Sequence, residues 1–127
     1  MIEPAQSSAL ISVVENDQLL RASIVRLVRS FGYRVEGFAS PTEFLALSRL
    51  DETACLIADI NMPGFTGIEL FHRLVKAGRP IPTLLITAYP DDAARIRALN
   101  DGVLCYLTKP FGGDELLRWV RVALRVK

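Results

Sequence analysis

Ala54-Cys55-Leu56-Ile57-Ala58-Asp59 decides the fold: five uninterrupted small or apolar residues that end on a single carboxylate. A strand buried on one face alternates apolar with polar residues. A continuous run is what a parallel strand covered by helices on both faces requires. Three further runs share this character, at residues 10–14, 83–87 and 103–107. A weaker one, at 33–38, has Arg34 and Glu36 alternating with Val35, which places it nearer a sheet edge.

Between these runs the apolar period changes to that of a helix. Leu20, Ile24, Leu27, Val28 and Phe31 share one face, and Gly32 is the stop. Ser40-Pro41-Thr42-Glu43 reads as a capping box with proline at the first helical position, opening a helix through Phe44 to about residue 50. Thr66-Gly67-Ile68-Glu69 repeats the box ahead of a helix with Ile68, Phe71, Leu74 and Val75 as its apolar residues. Asp91 or Asp92 caps a shorter helix containing Ile96 and Leu99, which Gly102 ends. Asp114 caps a last helix with Leu116, Leu117, Val120 and Leu124 inward. Five strand–helix units in strict alternation, joined by right-handed crossovers, predict an α/β fold. It is a doubly wound five-stranded parallel sheet in the flavodoxin-like order 2-1-3-4-5.

The length of 127 residues favours a single domain, with its core over about residues 10–125. A net charge of +1 gives no electrostatic footprint for nucleic acid or an anionic membrane. No apolar run approaches the roughly eighteen residues of a membrane helix, and residues 1–8 lack a basic-then-apolar leader, so a cytoplasmic location is expected. Cys55 and Cys105 sit in apolar runs and read as small buried hydrophobes. With one strand between them they stand about 9–10 Å apart, too far for a disulfide.

Polar residues collect where the runs end: Glu15 and Asn16 after the first, Asp59 after the third, Thr87 closing the fourth, Lys109 just past the fifth. In a doubly wound sheet these carboxyl ends open onto one crevice. Each residue alone could be a solvated strand end or a helix cap, but together they make a site. Carboxylates brought close repel one another unless a cation lies between them, and oxygen donors without a His/Cys cluster favour Mg²⁺ over zinc. A carboxylate can also attack a phosphoryl group, with Lys109 and Mg²⁺ supplying positive charge and the Thr87 hydroxyl a hydrogen bond.

At these positions the sequence resembles receiver domains of bacterial two-component response regulators. Asp59-Ile60-Asn61-Met62-Pro63-Gly64 with Gly67 is similar to their phosphoacceptor loop, and Thr87-Ala88 to their switch threonine. Tyr106-Leu107-Thr108-Lys109-Pro110-Phe111 is similar to their aromatic switch and lysine-proline motif. The resemblance runs from about residue 11 to residue 124; Phe44-Leu45 and Lys109-Pro110-Phe111 are most similar to the FixJ-like branch. It implies that Asp59 is phosphorylated, that Thr87 and Lys109 bind the phosphate, and that Thr87 and Tyr106 form the switch pair. It implies a metal site from Glu15, Asn16, Asp59 and the backbone carbonyl of Asn61, and a cis bond before Pro110. The implied partners are a sensor histidine kinase or phosphotransfer protein as donor, and a downstream protein target or fused output domain as reader. A homodimer formed on phosphorylation is compatible with it. Such a domain catalyses only its own aspartyl phosphorylation and dephosphorylation.

One departure stands out. Receivers usually carry two adjacent acids after the first strand, and here the pair is Glu15-Asn16; Asp17 follows one position late and reads equally well as a helix cap. Other readings compete. A haloacid-dehalogenase-like phosphatase needs a second aspartate where Asn61 stands. A flavodoxin-like cofactor binder needs a hydroxyl- and glycine-rich loop after the first strand. A degenerate receiver would bind partners without phosphorylation. His72 reads as a solvated side chain without an acidic partner nearby in sequence, and Trp119 as packing at a helix flank. Arg118, Arg121 and Arg125 read as the wet side of the last helix, and Tyr89 as an aromatic at the pocket rim.

Overall fold

Five strands alternate with five helices in a computed structural model that describes residues 9–125. Residues 1–8 and 126–127, and with them the N-terminal leader question, lie outside the described residues. The strands are β1 Leu10–Val14, β2 Arg34–Phe38, β3 Thr53–Asp59, β4 Thr83–Thr87 and β5 Cys105–Thr108. The helices are α1 Gln18–Ser30, α2 Pro41–Leu47, α3 Gly67–Lys76, α4 Asp92–Asn100 and α5 Gly113–Arg125. All strand pairs are parallel, in the order β2-β1-β3-β4-β5. The 33–38 run lies at an edge of the sheet, as its alternation implies, with Tyr33 buried just ahead of β2.

The continuous runs divide by parity between two cores. Ile11, Val13, Cys55, Ile57, Leu84, Ile86, Cys105 and Leu107 pack with Ile24 and Val28 of α1 and with Leu116, Val120 and Ala123 of α5. Val14, Leu56, Ala58 and Leu85 pack on the other face with Phe44 of α2, Leu70, Phe71 and Leu74 of α3, and Ala98 of α4. Because successive strand side chains point to opposite faces, a strand that serves both cores is apolar at nearly every position. Trp119 packs against the first core from its helix flank.

Two helix boundaries and two buried faces differ from the sequence expectation. Helix α2 ends at Leu47, not near residue 50: Ser48 is extended, and the Arg49 carbonyl then gathers the N–H groups of Glu52 and Thr53 and the Thr53 hydroxyl into a turn. Asp114 lies inside the first turn of α5, where its charge complements the helix N-terminus, and the Gly112 carbonyl accepts the bond from the Leu116 N–H. In α4 the buried residue is Ala98, while Ile96 and Leu99 face outward. In α3, Leu70 takes the buried place and Val75 is exposed. Of the two capping boxes, Thr66–Glu69 closes in both directions. Ser40 caps Glu43, whose carboxylate instead accepts from the Ala39 N–H.

Among the described residues no helix is long and apolar enough to cross a membrane. Both cysteines are reduced and buried, on β3 and β5 with β4 between them, and burial pushes each thiol up to about 12. Such thiols do not ionise near neutrality and are inert.

Candidate functional site

At the carboxyl ends of the strands the sheet stops and the polar residues begin. Asp59 is the last residue of β3 and Thr87 the last of β4, while Glu15 and Lys109 directly follow β1 and β5. Ladder bonds continue past the strands and fix these positions: the Glu15 N–H donates to the Phe38 carbonyl, that of Ile60 to Ile86, and that of Lys109 to Thr87. Glu15, Asp59 and Thr87 are buried, at 0%, 4% and 1% exposure. Buried carboxylates persist only with partners, and the partner here is the ammonium of Lys109. It reaches Glu15 Oε1 at 3.1 Å and Asp59 Oδ2 at 2.9 Å. The Lys109–Pro110 bond is cis.

The charges in this cluster answer to one another. Burial is the largest influence on Glu15 and raises its carboxyl above the usual 4.5, as does nearby Asp59; the Asp17 N–H, donating to Oε2, and Lys109 pull the other way. For Lys109, burial disfavours the charge, but the two carboxylates outweigh it and hold the ammonium above its ordinary 10.5. At neutral pH the lysine is therefore charged.

The remaining oxygens and hydroxyls are also engaged. Asp59 Oδ1 accepts from the Asn61 N–H at 2.9 Å. The Thr87 hydroxyl donates to the Asn61 side-chain oxygen at 2.8 Å and accepts from the Tyr89 N–H at 3.0 Å. Tyr106 is half-buried, and its hydroxyl accepts from the Asp91 N–H at the start of α4, at 3.3 Å. Asn16 is exposed beside the cluster. Asp17 is committed elsewhere: its carboxylate accepts from the Leu19 and Leu20 N–H groups and caps α1. Tyr89 is exposed.

Several features escape the sequence reading. Arg21, in the first turn of α1, donates to the Glu15 backbone carbonyl at 2.8 Å and so pins the β1–α1 loop. Gly67 is required by a close approach: a Cβ there would stand 2.6 Å from the Asp59 backbone oxygen. His72 is half-exposed, yet it does have an acidic partner, Asp101 at 2.8 Å, 29 positions away. Arg118, Arg121 and Arg125 are exposed, as expected. Only Gly67 left a trace in the sequence, through its place after the Asp59 loop.

The donor set suits a hard divalent cation. Glu15 and Asp59 supply carboxylate oxygens, Asn16 and Asn61 amide and carbonyl oxygens, and no His or Cys stands among these residues. Lys109 bridges the two carboxylates and supplies positive charge at the same place.

Residues 11–121 match the family described as the response regulator receiver domain. The chain is 36% identical over 113 residues to nodulation protein W of Bradyrhizobium diazoefficiens, covering 89% of this chain and 50% of that protein. It is 34% identical over 116 residues to the transcriptional regulatory protein FixJ of the same organism, covering 91% and 56%. Among solved structures, response regulator StyR superposes with a TM-score of 0.86 at 35% identity, over 93% of this chain and 60% of that one. The FixJ-N crystal structure agrees in fold, with a TM-score of 0.84 at 24% identity over 94% of this chain and 95% of that one. The chain spans about half the length of the first curated relatives it matches.

Proposed function

The chain belongs to the response regulator receiver domains, in the branch that includes FixJ, and on that premise we propose that it is a signalling switch that carries its phosphoryl group on Asp59. The observation that carries the assignment is the Lys109 ammonium 2.9 Å from a buried Asp59 carboxylate at the end of the central strand. In this reading the whole chain, residues 1–127, acts as one receiver.

An Asp59 carboxylate oxygen attacks the phosphorus of a phosphohistidine on a sensor kinase or phosphotransfer protein. The new O–P bond forms as the N–P bond breaks, and the imidazole leaves with the electron pair. Asn61 N–H orients the carboxylate through Oδ1, and Lys109 stands ready to bind the oxygens of the incoming group. Mg²⁺ held by Glu15, Asn16, Asp59 and the Asn61 carbonyl would neutralise the charge that gathers on those oxygens. Water attack on the acyl phosphate breaks the O–P bond, releases inorganic phosphate and restores the Asp59 carboxylate, so the domain turns over only its own phosphate.

Readout falls to Thr87 and Tyr106. The Thr87 hydroxyl turns to the phosphoryl group, and Tyr106 gives up the Asp91 N–H and moves inward, changing the face built by α4, β5 and α5. That face meets a downstream protein or an attached output domain. Neither nucleic acid nor membrane contact is assigned to this domain, and the cytoplasm is its expected location.

Incubation with acetyl phosphate and Mg²⁺, followed by intact mass and peptide mapping, tests the assignment. One phosphate should be added, on Asp59. An Asp59→Asn protein modified to the wild-type level would sink it.

A further inference from the structure

We infer that the side chain of Asn61 is a latch on the Thr87 hydroxyl, holding it away from Asp59 and setting how readily the switch turns. This rests on the reading of Asp59 as phosphoacceptor. A threonine hydroxyl has one proton to donate. Here that proton goes to the Asn61 side-chain oxygen at 2.8 Å, and the hydroxyl oxygen is occupied by the Tyr89 N–H at 3.0 Å. Thr87 is 1% exposed, so bulk water does not compete for the bond. The Thr87 hydroxyl therefore cannot donate to a phosphoryl oxygen while the latch is closed.

Asn61 touches both halves of the switch. Its backbone N–H donates to Asp59 Oδ1 at 2.9 Å, while its side chain holds Thr87. A group added to Asp59 bears on the residue that restrains the threonine, two positions away in the chain. Asn61 itself is exposed, so its amide can be solvated once released, whereas Thr87 must exchange one partner for another. That asymmetry makes Asn61 the disposable member of the pair. It acts through Thr87 and is a positioning residue.

Removing the latch spares the hydroxyl one net hydrogen bond on switching, which corresponds to roughly two- to tenfold in the switching equilibrium. The probe is beryllofluoride at saturating Mg²⁺, with its dissociation constant measured for Asn61→Ala, Thr87→Val and the double variant. Asn61→Ala keeps the backbone carbonyl and N–H of the loop. In the Thr87 background it should tighten binding two- to tenfold. In the Thr87→Val background, where there is no hydroxyl to hold, it should change nothing. The Thr87 hydroxyl proton, followed by NMR without any ligand, should exchange slowly in the wild type and faster in Asn61→Ala.

Equal or weaker binding by Asn61→Ala in the Thr87 background overturns the latch. So does an equal effect in both backgrounds, since the change would then run through the metal or the loop. A wild-type protein that takes no beryllofluoride overturns the phosphoacceptor reading itself, a failure distinct from either of these.

Discussion

The two ends of the sheet bury polar groups in different ways. At the N-terminal end lie Thr53 and Thr83, with Ser12 of the middle of β1 bonded to Thr53, all neutral hydroxyls. The Thr83 hydroxyl donates to the Ile81 carbonyl two residues away, that of Thr53 to Arg49, and Ser12 and Thr53 pair at 3.0 Å. At the C-terminal end the buried groups are two carboxylates and the Thr87 hydroxyl, and Lys109 reaches them across 94 and 50 positions of chain. A cavity of about 470 Å³ opens at the N-terminal end between Phe71, Ile81 and Leu124, with no such cluster of charges converging on it. Neutral hydroxyls, bonded within four residues or, for Ser12 and Thr53, across 41 positions, complete a fold. Charges that need partners from distant strands are costly to bury, and the cost is tolerated where reactivity follows.

Replacing Lys109 is the strongest way to break that contrast. Lys109→Met leaves Glu15 and Asp59 without their shared cation and should cost roughly 3 kcal/mol of stability without divalent ions, the lower end for a broken buried pair. Added Mg²⁺ should restore part of it. Urea denaturation at pH 7 measures both, and a loss no larger than that of a hydroxyl variant at the other end would erase the distinction.

Next in size is the Glu15-Asn16 pair. Asn16→Asp puts a charge on an exposed residue beside the cluster, at little desolvation cost. Mg²⁺ affinity should rise roughly tenfold to hundredfold. Asp17→Asn should leave it nearly unchanged, because the Asp17 carboxylate is spent on α1 and asparagine caps a helix as well. Calorimetric titration of both variants decides the ranking; the reverse order would move the ligand to Asp17.

Thr53→Val sharpens the comparison from the neutral end. It strands the buried Ser12 hydroxyl and should cost about 1 kcal/mol, with no dependence on Mg²⁺. Any Mg²⁺ rescue would show that the two ends are coupled.

The smallest effect is a pH slope. Glu15 holds its proton more tightly in the folded chain than in the unfolded one, so stability falls as pH rises above 4.5 through the folded value. Lys109 acts in the opposite range: its contribution is full below 10.5 and is lost as pH rises through its raised folded value. Glu15→Gln should flatten the acid-side slope, whereas Thr53→Val should shift the whole curve without changing its shape. Urea midpoints measured without metal from pH 4 to 11 show both, and an unchanged slope in Glu15→Gln would assign it to another group.

What the sequence determined by itself was the sheet and the edge that carries the chemistry. Continuous runs such as residues 54–58 and 83–87 fix parallel strands, and Thr66–Glu69 and Gly32 mark helix ends. Strict alternation then brings Glu15, Asp59, Thr87 and Lys109 to one side. These signals act within a few residues, through backbone geometry and local hydrogen bonds, and so they can be read along a line. Where propensity alone had to choose, the reading slipped, as at the end of α2, the cap of α5 and the outward Ile96 and Leu99 of α4. Only the tertiary structure decided that Asp17 caps a helix, that Arg21 pins the Glu15 loop, that His72 meets Asp101, and that Asn61 holds Thr87. Apart from the Asp17 cap, these join elements distant in sequence or depend on which side-chain orientations packing leaves open. Bonds of that kind exist only once the sheet and its loops have brought the partners within about 3 Å of each other.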